Sequence, residues 1–425
     1  MNKKALIIFL IVLVILAGLI WFVFFRQKPV VVQPTPEKPI TEQPARLPVT
    51  RSQWEVMTIE ERGRQGLPLS EWPAEGVVTE TPVAPEKITP EIDEVASGGR
   101  TWINTISDDV VQNATLAGDG QSNIYYDKTG GHFYKIDNLG NKELLTDQVF
   151  YNVDNINWAP TKDRAILEYP DGFKVMYDFD QKKQYTLPKN WENFSWDSSG
   201  SHFAFESTSQ YSENNWLATS RADGSEAKPI EHIGENADKV TVSWSPNNQV
   251  VAFSATGDPR GAWEQEILLI GQNGENFKSL VIDGRGFESK WSPIGDKIVY
   301  SVYSADSNYQ PKLYLVNAQG EEIGSDKIDL KLATWADKCA FNNNGSALYC
   351  AVPKNLPEGS GLITDLAANT RDDFYKIDAV TGQVSFLAEG AMGGYNVGDI
   401  YLSSDESTLY FVDKDTSHLR SIKLK

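Results

Sequence analysis

A hairpin signature recurs seven times through the last three quarters of the chain, and it restricts the possible folds more than any other feature. Its clearest copies read WSPNNQVVAF and WSPIGDKIVY, and each copy joins two apolar strands through a turn rich in Ser, Pro, Asn, Asp and Gly. The seven copies begin at Leu116, Trp158, Trp196, Trp244, Trp291, Phe341 and Leu402. The copy at Leu116 is the weakest and needs one inserted residue. Such repetition indicates a fold built from similar units.

The spacing of the copies predicts what each unit is. Successive copies begin 42, 38, 48, 47, 50 and 61 residues apart, and each interval has room for two further strands and a tight turn. Four short strands in about 40–50 residues describe one blade of a β-propeller. No stretch after residue 100 shows helical periodicity. We therefore expect an all-β, seven-bladed β-propeller over residues 100–425.

The two ends of this region predict how the ring closes. After Leu402 the chain has room for only two more strands, so the last blade would lack its fourth strand. Residues 100–106 (RTWINTI) resemble the fourth strands of other blades, such as Lys142–Thr146 (KELLT). We expect this N-terminal strand to pair with the last blade, because closure removes the unpaired edges that favour aggregation.

The four copies that begin with Trp resemble the repeats of TolB-type, WD-repeat-like bacterial β-propellers. This resemblance covers about residues 100–425 and implies the propeller fold, but the repeat serves many tasks and implies little about function. TolB-type proteins carry a separate N-terminal α/β domain, whereas an anchor and a proline-rich linker are expected here instead, so the role of TolB is not implied. The whole layout resembles uncharacterised bacterial proteins that have one membrane span and an exported propeller.

An apolar segment near the N-terminus predicts a membrane anchor. Residues 5–25 form an uncharged run of 21 residues with basic residues on both sides. As a helix this run would extend about 31 Å, which matches the hydrocarbon core of a bilayer. We expect residues 1–28 to be a cytoplasmic tail and a transmembrane signal anchor, with the propeller outside the cytoplasm. A cleaved signal peptide is the alternative, although it would normally have a shorter apolar region and a small-residue cleavage site.

Residues 29–99 are expected to be a disordered, proline-rich linker. They hold 11 of the 21 prolines, which favour extended chain, and 12 acidic against 6 basic residues. Within them, Ser52–Arg64 could form a short helix with Trp54, Val56 and Met57 as an apolar patch. Two interpretations stay open for it: a transient helix in the stalk, or a peptide that docks on a partner or on the propeller itself.

The composition excludes several classes of function. The net charge is −19, whereas nucleic-acid binding needs a basic face. No phosphate-binding loop or dinucleotide fingerprint occurs, and the four His share no metal-ligand spacing, so we expect no cofactor and no metal. The G-x-S-x-G elbow of a serine peptidase is also absent.

The two cysteines bracket the sixth hairpin. If Phe341 lies opposite Leu348 across the turn, Cys339 lies opposite Cys350, at a separation that a disulfide can bridge. An exported domain is in an oxidising environment, which favours the disulfide. Two buried thiols that pack as small apolar groups are the alternative.

Aromatic residues and loop lengths suggest where the protein binds. The recurring tryptophans end the first strand of their blades, which predicts packing between blades rather than sugar binding. The loops between second and third strands are long in blades 3 to 6, and variable loops on a rigid scaffold commonly carry binding sites. Four of their residues are of the types that dominate contact sites: Arg260, Trp263, Tyr309 and Arg371.

Two functions from different classes are consistent with these features. The first is a membrane-anchored, extracytoplasmic scaffolding or binding module that engages an envelope protein or a cell-wall component. The second is a carbohydrate-binding or carbohydrate-active propeller with carboxylates around its central channel. Paired acids with raised pKa values would favour the second function, and a channel blocked by apolar side chains would oppose it.

Overall fold

The computed structural model describes residues 56–64 and 92–425, except Pro259 and Asn276. The chain divides into two units, 1–87 and 88–425. The predicted membrane helix and most of the predicted linker lie outside the described residues. Within the described ranges, no helix is both long and apolar enough to cross a bilayer.

In the first unit the described residues form one short helix. α1 spans Ile59–Arg64, within the segment where the sequence suggested a helix. Thr58 and Glu61 form a reciprocal capping box: the backbone N–H of Glu61 donates to Thr58 Oγ1 at 3.2 Å, and that of Thr58 donates to Glu61 Oε2 at 3.0 Å. This arrangement satisfies two N–H groups that a helix start would otherwise leave unpaired.

The second unit is the predicted seven-bladed propeller. Two strands precede the blades: β1 (Gly99–Thr101) and β2 (Ile103–Ser107). Blade 1 contains β3 (Val111–Leu116), β4 (Asn123–Asp127), β5 (His132–Ile136) and β6 (Lys142–Leu144). Blade 2 contains β7 (Asn155–Trp158), β8 (Arg164–Glu168), β9 (Lys174–Asp178) and β10 (Lys183–Leu187). Blade 3 contains β11 (Trp191–Trp196), β12 (His202–Ser207), β13 (Trp216–Arg221) and β14 (Lys228–His232).

The remaining blades repeat this order. Blade 4 contains β15 (Val240–Val242), β16 (Val250–Ser254), β17 (Glu264–Gly271) and β18 (Leu280–Asp283). Blade 5 contains β19 (Arg285–Trp291), β20 (Lys297–Tyr303), β21 (Lys312–Asn317) and β22 (Ile328–Asp329). Blade 6 contains β23 (Cys339–Phe341), β24 (Ala347–Pro353), β25 (Asp372–Asp378) and β26 (Val384–Gly390). Blade 7 contains β27 (Val397–Leu402), β28 (Thr408–Asp413) and β29 (His418–Lys423).

The first strand of each blade lies at the centre of the ring. First strands of neighbouring blades contact one another, as β3 does with β7 and β27 with β23. The second strands are almost fully buried because both of their faces pack against neighbouring blades; all five residues of Val250–Ser254 are buried. This burial explains why the second strand of each repeat is a continuous apolar run in the sequence.

The N-terminal strand closes the ring on blade 7 as predicted, but the prediction that all of residues 100–106 pair with that blade is wrong, because residues 100–101 pair with blade 6. β2 pairs antiparallel with β29 of blade 7, and Ile103 lies opposite Ile422. The residues just before it do not join blade 7: β1 pairs in parallel with β26, and Gly99 lies opposite Ala388 on blade 6. The described chain already contacts blade 7 before residue 100, where the Ala96 N–H donates to the Lys423 carbonyl at 2.9 Å. One continuous segment, residues 96–107, therefore forms backbone hydrogen bonds with both blade 6 and blade 7.

The recurring tryptophans connect neighbouring blades, as the sequence predicted. The indole N–H of Trp158 donates to the Asn113 carbonyl at 2.9 Å, and that of Trp196 donates to the Asn157 carbonyl at 3.1 Å. In both cases the acceptor belongs to the first strand of the preceding blade. Phe133 of blade 1 packs edge-on against Trp158, with ring centroids 5.6 Å apart.

The sixth hairpin has the predicted register and contains a disulfide. Cys339 lies directly opposite Cys350, and Phe341 lies opposite Leu348. The two cysteines are bonded to each other and fully buried between blades 5 and 6.

Candidate functional site

The repeat register places one residue of each blade at the wall of the central channel. This residue stands three positions before the first residue of the hairpin signature, on or next to the first strand. The seven wall residues are Asn113, Asn155, Asn193, Thr241, Glu288, Lys338 and Asp399. Blades 1 to 4 thus contribute neutral polar groups, whereas blades 5 to 7 contribute charges. All of them except Asn113 line one of three cavities.

Local backbone geometry explains why several wall residues are Asn or Asp. Asn113, Asn193 and Asp399 have φ values of 49°, 55° and 42°, in the left-handed region that Asn and Asp tolerate better than most side chains. Each lies within a β-bulge of its first strand. A bulge turns a side chain away from its regular position, and bulges are common next to functional sites.

The three cavities open at two ends of the channel. We call the end that carries the loops between second and third strands the loop face, and the end that carries the repeated turns the hairpin face. On the loop face, blades 5 to 7 enclose a cavity of about 460 Å³, here named the charged cavity. On the same face, blades 2 to 4 enclose one of about 570 Å³, named the asparagine cavity. A third, of about 440 Å³, opens on the hairpin face.

The charged cavity is built around Glu288 of β19. Its lining also includes Asp337 and Lys338, which precede β23, and Lys414 and Asp415, which follow β28. The Glu288 side chain is reached by solvent, yet protein surrounds it in the channel. This partial desolvation raises the pKa of Glu288 to about 7; the charge of Asp337 raises it further and Lys414 opposes the rise.

A buried ion pair of blade 6 lies next to the charged cavity and contacts blade 7. Lys338 Nζ lies 2.7 Å from Asp372 Oδ2 and 3.0 Å from Oδ1, and the Val397 N–H donates to the same Oδ2 at 2.7 Å. Burial raises the pKa of Asp372 and lowers that of Lys338, and their attraction opposes both shifts. Because Lys338 is neutralised by Asp372, its charge is not available to a ligand, and the pair acts as a structural anchor.

Charged side chains also line the cavity on the hairpin face. Lys290 Nζ donates to the Cys339 carbonyl at 2.7 Å, and Lys290, Asp399 and Tyr401 line the cavity there. Burial lowers the pKa of Lys290 and raises that of Asp399, while their opposite charges counter both shifts. Charged side chains are therefore present at both ends of the channel, although apolar side chains such as Trp291, Phe341 and Leu402 also line the cavity on the hairpin face.

Two of the four residues predicted from the loops come together. The rings of Trp263, from blade 4, and Tyr309, from blade 5, lie 5.6 Å apart and meet edge to face. Arg260 instead bonds within its own blade, where its Nη2 lies 3.4 Å from Glu266 Oε1. Among the described residues, no hydrogen bond, ion pair or ring contact joins Arg260 to the other three predicted residues.

The long loop of blade 6 holds the blade 5 loop in place. The N–H of Gly361 donates to the Tyr309 carbonyl at 2.7 Å, and the N–H of Gly359 donates to the Asn308 carbonyl at 2.9 Å. Residue 361 must be glycine, because a Cβ there would lie 2.7 Å from Tyr303 Cβ and 2.8 Å from the Tyr309 carbonyl. These contacts make the loops of blades 5 and 6 one connected surface.

The fourth predicted residue lies at the rim of the charged cavity. Arg371 Nη2 is 2.8 Å from Asp415 Oδ2, and Asp415 lines the cavity. On the same rim, the side-chain amide of Asn396 donates to the Ala368 carbonyl at 2.9 Å. Arg371 is therefore joined to the cavity, and the loop of blade 6 is joined to the start of blade 7.

Apolar side chains on this rim were not singled out from the sequence. Leu362, Ile363 and Leu366 are 59%, 54% and 46% exposed, in or beside the 3₁₀ helix Thr364–Ala367. Several residues of that helix line the charged cavity itself. The sequence segment GLITDL carried this signal, because three large apolar residues within a solvent loop are unusual. Glu288 was also missed, although its place three residues before Trp291 would have identified it.

Comparisons with known proteins support the fold and leave the function open. No protein-family model matches the chain, and no curated protein matches it. An oligogalacturonate lyase solved in complex with manganese is similar in structure, with a TM-score of 0.54, 13% identity, and coverage of 76% of this chain and 93% of that one. An oligogalacturonate lyase from Vibrio parahaemolyticus has a TM-score of 0.52 and 11% identity, and the match covers 76% of this chain and 93% of that one.

TolB from Acinetobacter baumannii matches more weakly. Its TM-score is 0.40 at 12% identity, over 63% of each chain. In the described part of this chain, no group of three or more His, Cys, Asp or Glu side chains could hold a metal ion. At these identities the two lyases show that the chain has the β-propeller fold.

Proposed function

We propose that the protein is a membrane-anchored, extracytoplasmic binding module of the cell envelope, which contacts a partner protein or a wall component through the loop face of blades 4 to 7. The anchor is the apolar segment at residues 5–25, and the proline-rich linker would hold the propeller away from the bilayer. The loop face would then be the surface that meets other envelope components.

The observation that carries this proposal is the exposed apolar group Leu362, Ile363 and Leu366 on a braced loop. Isolated exposed apolar residues are normal, but adjacent ones on a loop next to a cavity are typical of interaction sites. The hydrogen bonds from Gly359 and Gly361 fix this loop before any partner arrives. A pre-ordered surface loses less conformational entropy on binding, which favours affinity.

The side chains around this apolar group indicate the chemical character of the partner. The Trp263–Tyr309 pair offers aromatic contact area, and the half-exposed Arg371–Asp415 ion pair offers polar groups at the rim. Residues 100–425 hold 46 acidic and 29 basic residues, so an anionic polymer would be repelled. The expected partner is a neutral or basic envelope component with an apolar contact residue.

Site-specific photo-crosslinking in the native membrane tests the proposal. A crosslinker would be placed at Trp263, at Leu366 and at Arg371, with a matched control at Asn273. Asn273 lies in the exposed turn between β17 and β18, on the hairpin face. We expect one discrete protein adduct from the loop-face positions and none from Asn273. Adducts of equal yield at all four positions, or none, would contradict a loop-face partner.

A second candidate is a carbohydrate-active propeller, and Glu288 is the observation that favours it. A carboxyl group with a pKa of about 7 beside a second carboxyl group, Asp337, can act as a general acid near neutral pH. The charged cavity, which holds Glu288, Asp337 and Lys414, is accessible from the loop face and does not oppose this function.

The test of the second candidate compares wall-glycan cleavage by the wild type and by Glu288→Gln. We expect cleavage that declines above pH 7 in the wild type and is lost in the variant. Undiminished cleavage by Glu288→Gln, or no cleavage by the wild type, would exclude Glu288 as the acid.

A further inference from the structure

The asparagine cavity has an unusual excess of hydrogen-bond acceptors. Asn155 Nδ2 donates to Glu168 Oε1 at 2.8 Å, and Asn157 Nδ2 donates to the Phe194 carbonyl at 2.6 Å. The one lysine in its lining, Lys174, donates from Nζ to the Lys189 carbonyl at 3.0 Å. The donors of these three side chains are thus engaged by the protein. Among the residues that the structure describes, none donates a hydrogen bond to the Oδ1 atom of Asn155 or of Asn157.

A buried carboxyl group stands behind this cavity without a counter-ion. Glu206 on β12 is 2% exposed and lies directly opposite Glu192, which lines the cavity. Its Oε1 has no hydrogen-bond partner in the described chain, and Asn193, also in the lining, is the side chain that contacts its carboxyl group. In the same part of the chain no basic side chain lies within 4.0 Å of Glu192 or Glu206. A buried acceptor left unpaired is costly, and a ligand that donates a hydrogen bond would relieve that cost.

We propose that the asparagine cavity binds a primary ammonium group, with Glu206 and Glu192 as its counter-ions and the Asn155 and Asn157 carbonyl oxygens as acceptors. An ammonium group carries three donors and no acceptor, which complements this lining. Phe194, Val240 and Val242 provide an apolar wall for an alkyl stem. A volume of about 570 Å³ has room for the four-carbon stem of a lysine side chain or of a small free amine.

The site is distinct from the contact surface proposed above. It lies across the channel on blades 2 to 4, so it could bind an amine whether or not the loops of blades 4 to 7 bind a protein. A bare metal ion fits less well, because no cluster of three metal-ligating side chains occurs among the described residues. The excess of carboxylates over cations also separates an ammonium ligand from a neutral sugar, which needs no counter-ion.

Binding of an ammonium group should displace a proton from Glu206. Burial raises the pKa of Glu206 to about 7; Glu192 raises it further and Asn193 opposes the rise. The other charged groups at the cavity are Glu168 and Lys174 of blade 2, and on the other side of Glu206 its neighbour on β13 is the apolar Leu217. A bound cation lowers the pKa of Glu206, so the affinity should rise with pH by up to about tenfold per unit below pH 7 and level off above it.

Calorimetric titration of the full-length protein in detergent tests the site. The probes are N-acetyl-lysine methylamide, which represents a peptide lysine; cadaverine, which represents a free amine; and N-acetyl-norleucine methylamide, which lacks the charge. We expect one or both amines to bind, with proton release at pH 6.5 seen in two buffers of different ionisation enthalpy, and the norleucine probe not to bind. The amine that binds more tightly shows whether the ligand is a peptide lysine or a free amine.

Two variants test whether Glu206 is responsible for amine binding and for the accompanying proton release. Glu206→Gln keeps the shape, and we expect it to weaken amine binding at pH 8 by about tenfold or more and to abolish proton release. Glu213→Gln, at an exposed position of the same blade and face, should bind as the wild type does; thermal unfolding checks that both are folded. The proposal is overturned if neither amine binds at millimolar concentration, if norleucine binds equally well, or if Glu206→Gln binds with unchanged proton release.

Discussion

Replacing Lys338 by Met should destabilise the propeller far more than the loss of an ordinary ion pair. Lys338 is 5% exposed and Asp372 is not exposed at all, so the variant would leave a buried carboxylate with only the Val397 N–H as a partner. Breaking a buried pair in this way destabilises a protein by about 3–5 kcal/mol. With an unfolding entropy of about 2.1 cal/mol/K per residue, this corresponds to a melting temperature lower by about 4–7 °C.

The matched control is Lys331→Met. Lys331 Nζ lies 2.6 Å from Asp329, but its side chain is 79% exposed, and pairs of this kind contribute under about 1 kcal/mol. The two variants would be compared by urea unfolding followed through tryptophan fluorescence. Equal losses of under about 1 kcal/mol in both variants would refute the assignment of Lys338–Asp372 as a structural anchor of blade 6.

The deficit of Lys338→Met should also depend on pH. Without Lys338 the folded pKa of Asp372 would lie even further above its unfolded value, because burial then acts unopposed by the ion pair. A raised folded pKa means that the folded state binds a proton more readily than the unfolded state does. The deficit should therefore be largest at neutral pH and shrink as the pH falls towards 4.

Three further predictions concern the ring, the hairpin and the buried acid. A fragment of residues 108–425 should aggregate or lose cooperative unfolding in size-exclusion and circular dichroism measurements, since it lacks the closing strand; a soluble, cooperative fragment would contradict closure. Replacing Cys339 and Cys350 by Ala should destabilise the protein by about 3 kcal/mol, from the entropy of an 11-residue loop, and the denatured wild type should gain 2 Da on reduction. Burial raises the pKa of Glu206 in the folded protein from 4.5 to about 7. The folded wild type therefore loses stability as the pH rises from about 4.5 to 7, because ionised Glu206 is less favourable there than in the unfolded chain. Glu206→Gln should thus be more stable than the wild type at pH 8, by up to about 3 kcal/mol, and equally stable at pH 4.

The sequence predicts the architecture well because the hairpin signature of each blade determines the register of its own strands. The hairpin turn, the apolar second strand and the terminal tryptophan recur in each strong copy, so local and tertiary preferences agree. The position of Cys339 opposite Cys350 followed from the same register. The parallel pairing of β1 with β26 could not be predicted in this way, because it depends on where the outer edge of blade 6 lies after folding.

The candidate site is harder to predict, since its parts are far apart in the sequence. The charged cavity joins Glu288 to Lys414, 126 positions later, and no local pattern relates them. What the sequence does contain is the position three residues before each hairpin signature, which marks the channel wall. The loops were identified by length alone, and length does not show that Trp263 meets Tyr309 or that Arg260 bonds within its own blade.

The most direct measurement of the central claim is the yield of the crosslinked adduct formed from Trp263 when the apolar rim is altered. Leu362 and Leu366 would be replaced together by Ser, and the control would replace Val380, which is 71% exposed in a turn on the hairpin face, by Ser. If the loop face binds a partner, the adduct should disappear in the first variant and persist in the second. An adduct that persists in both variants would contradict the account.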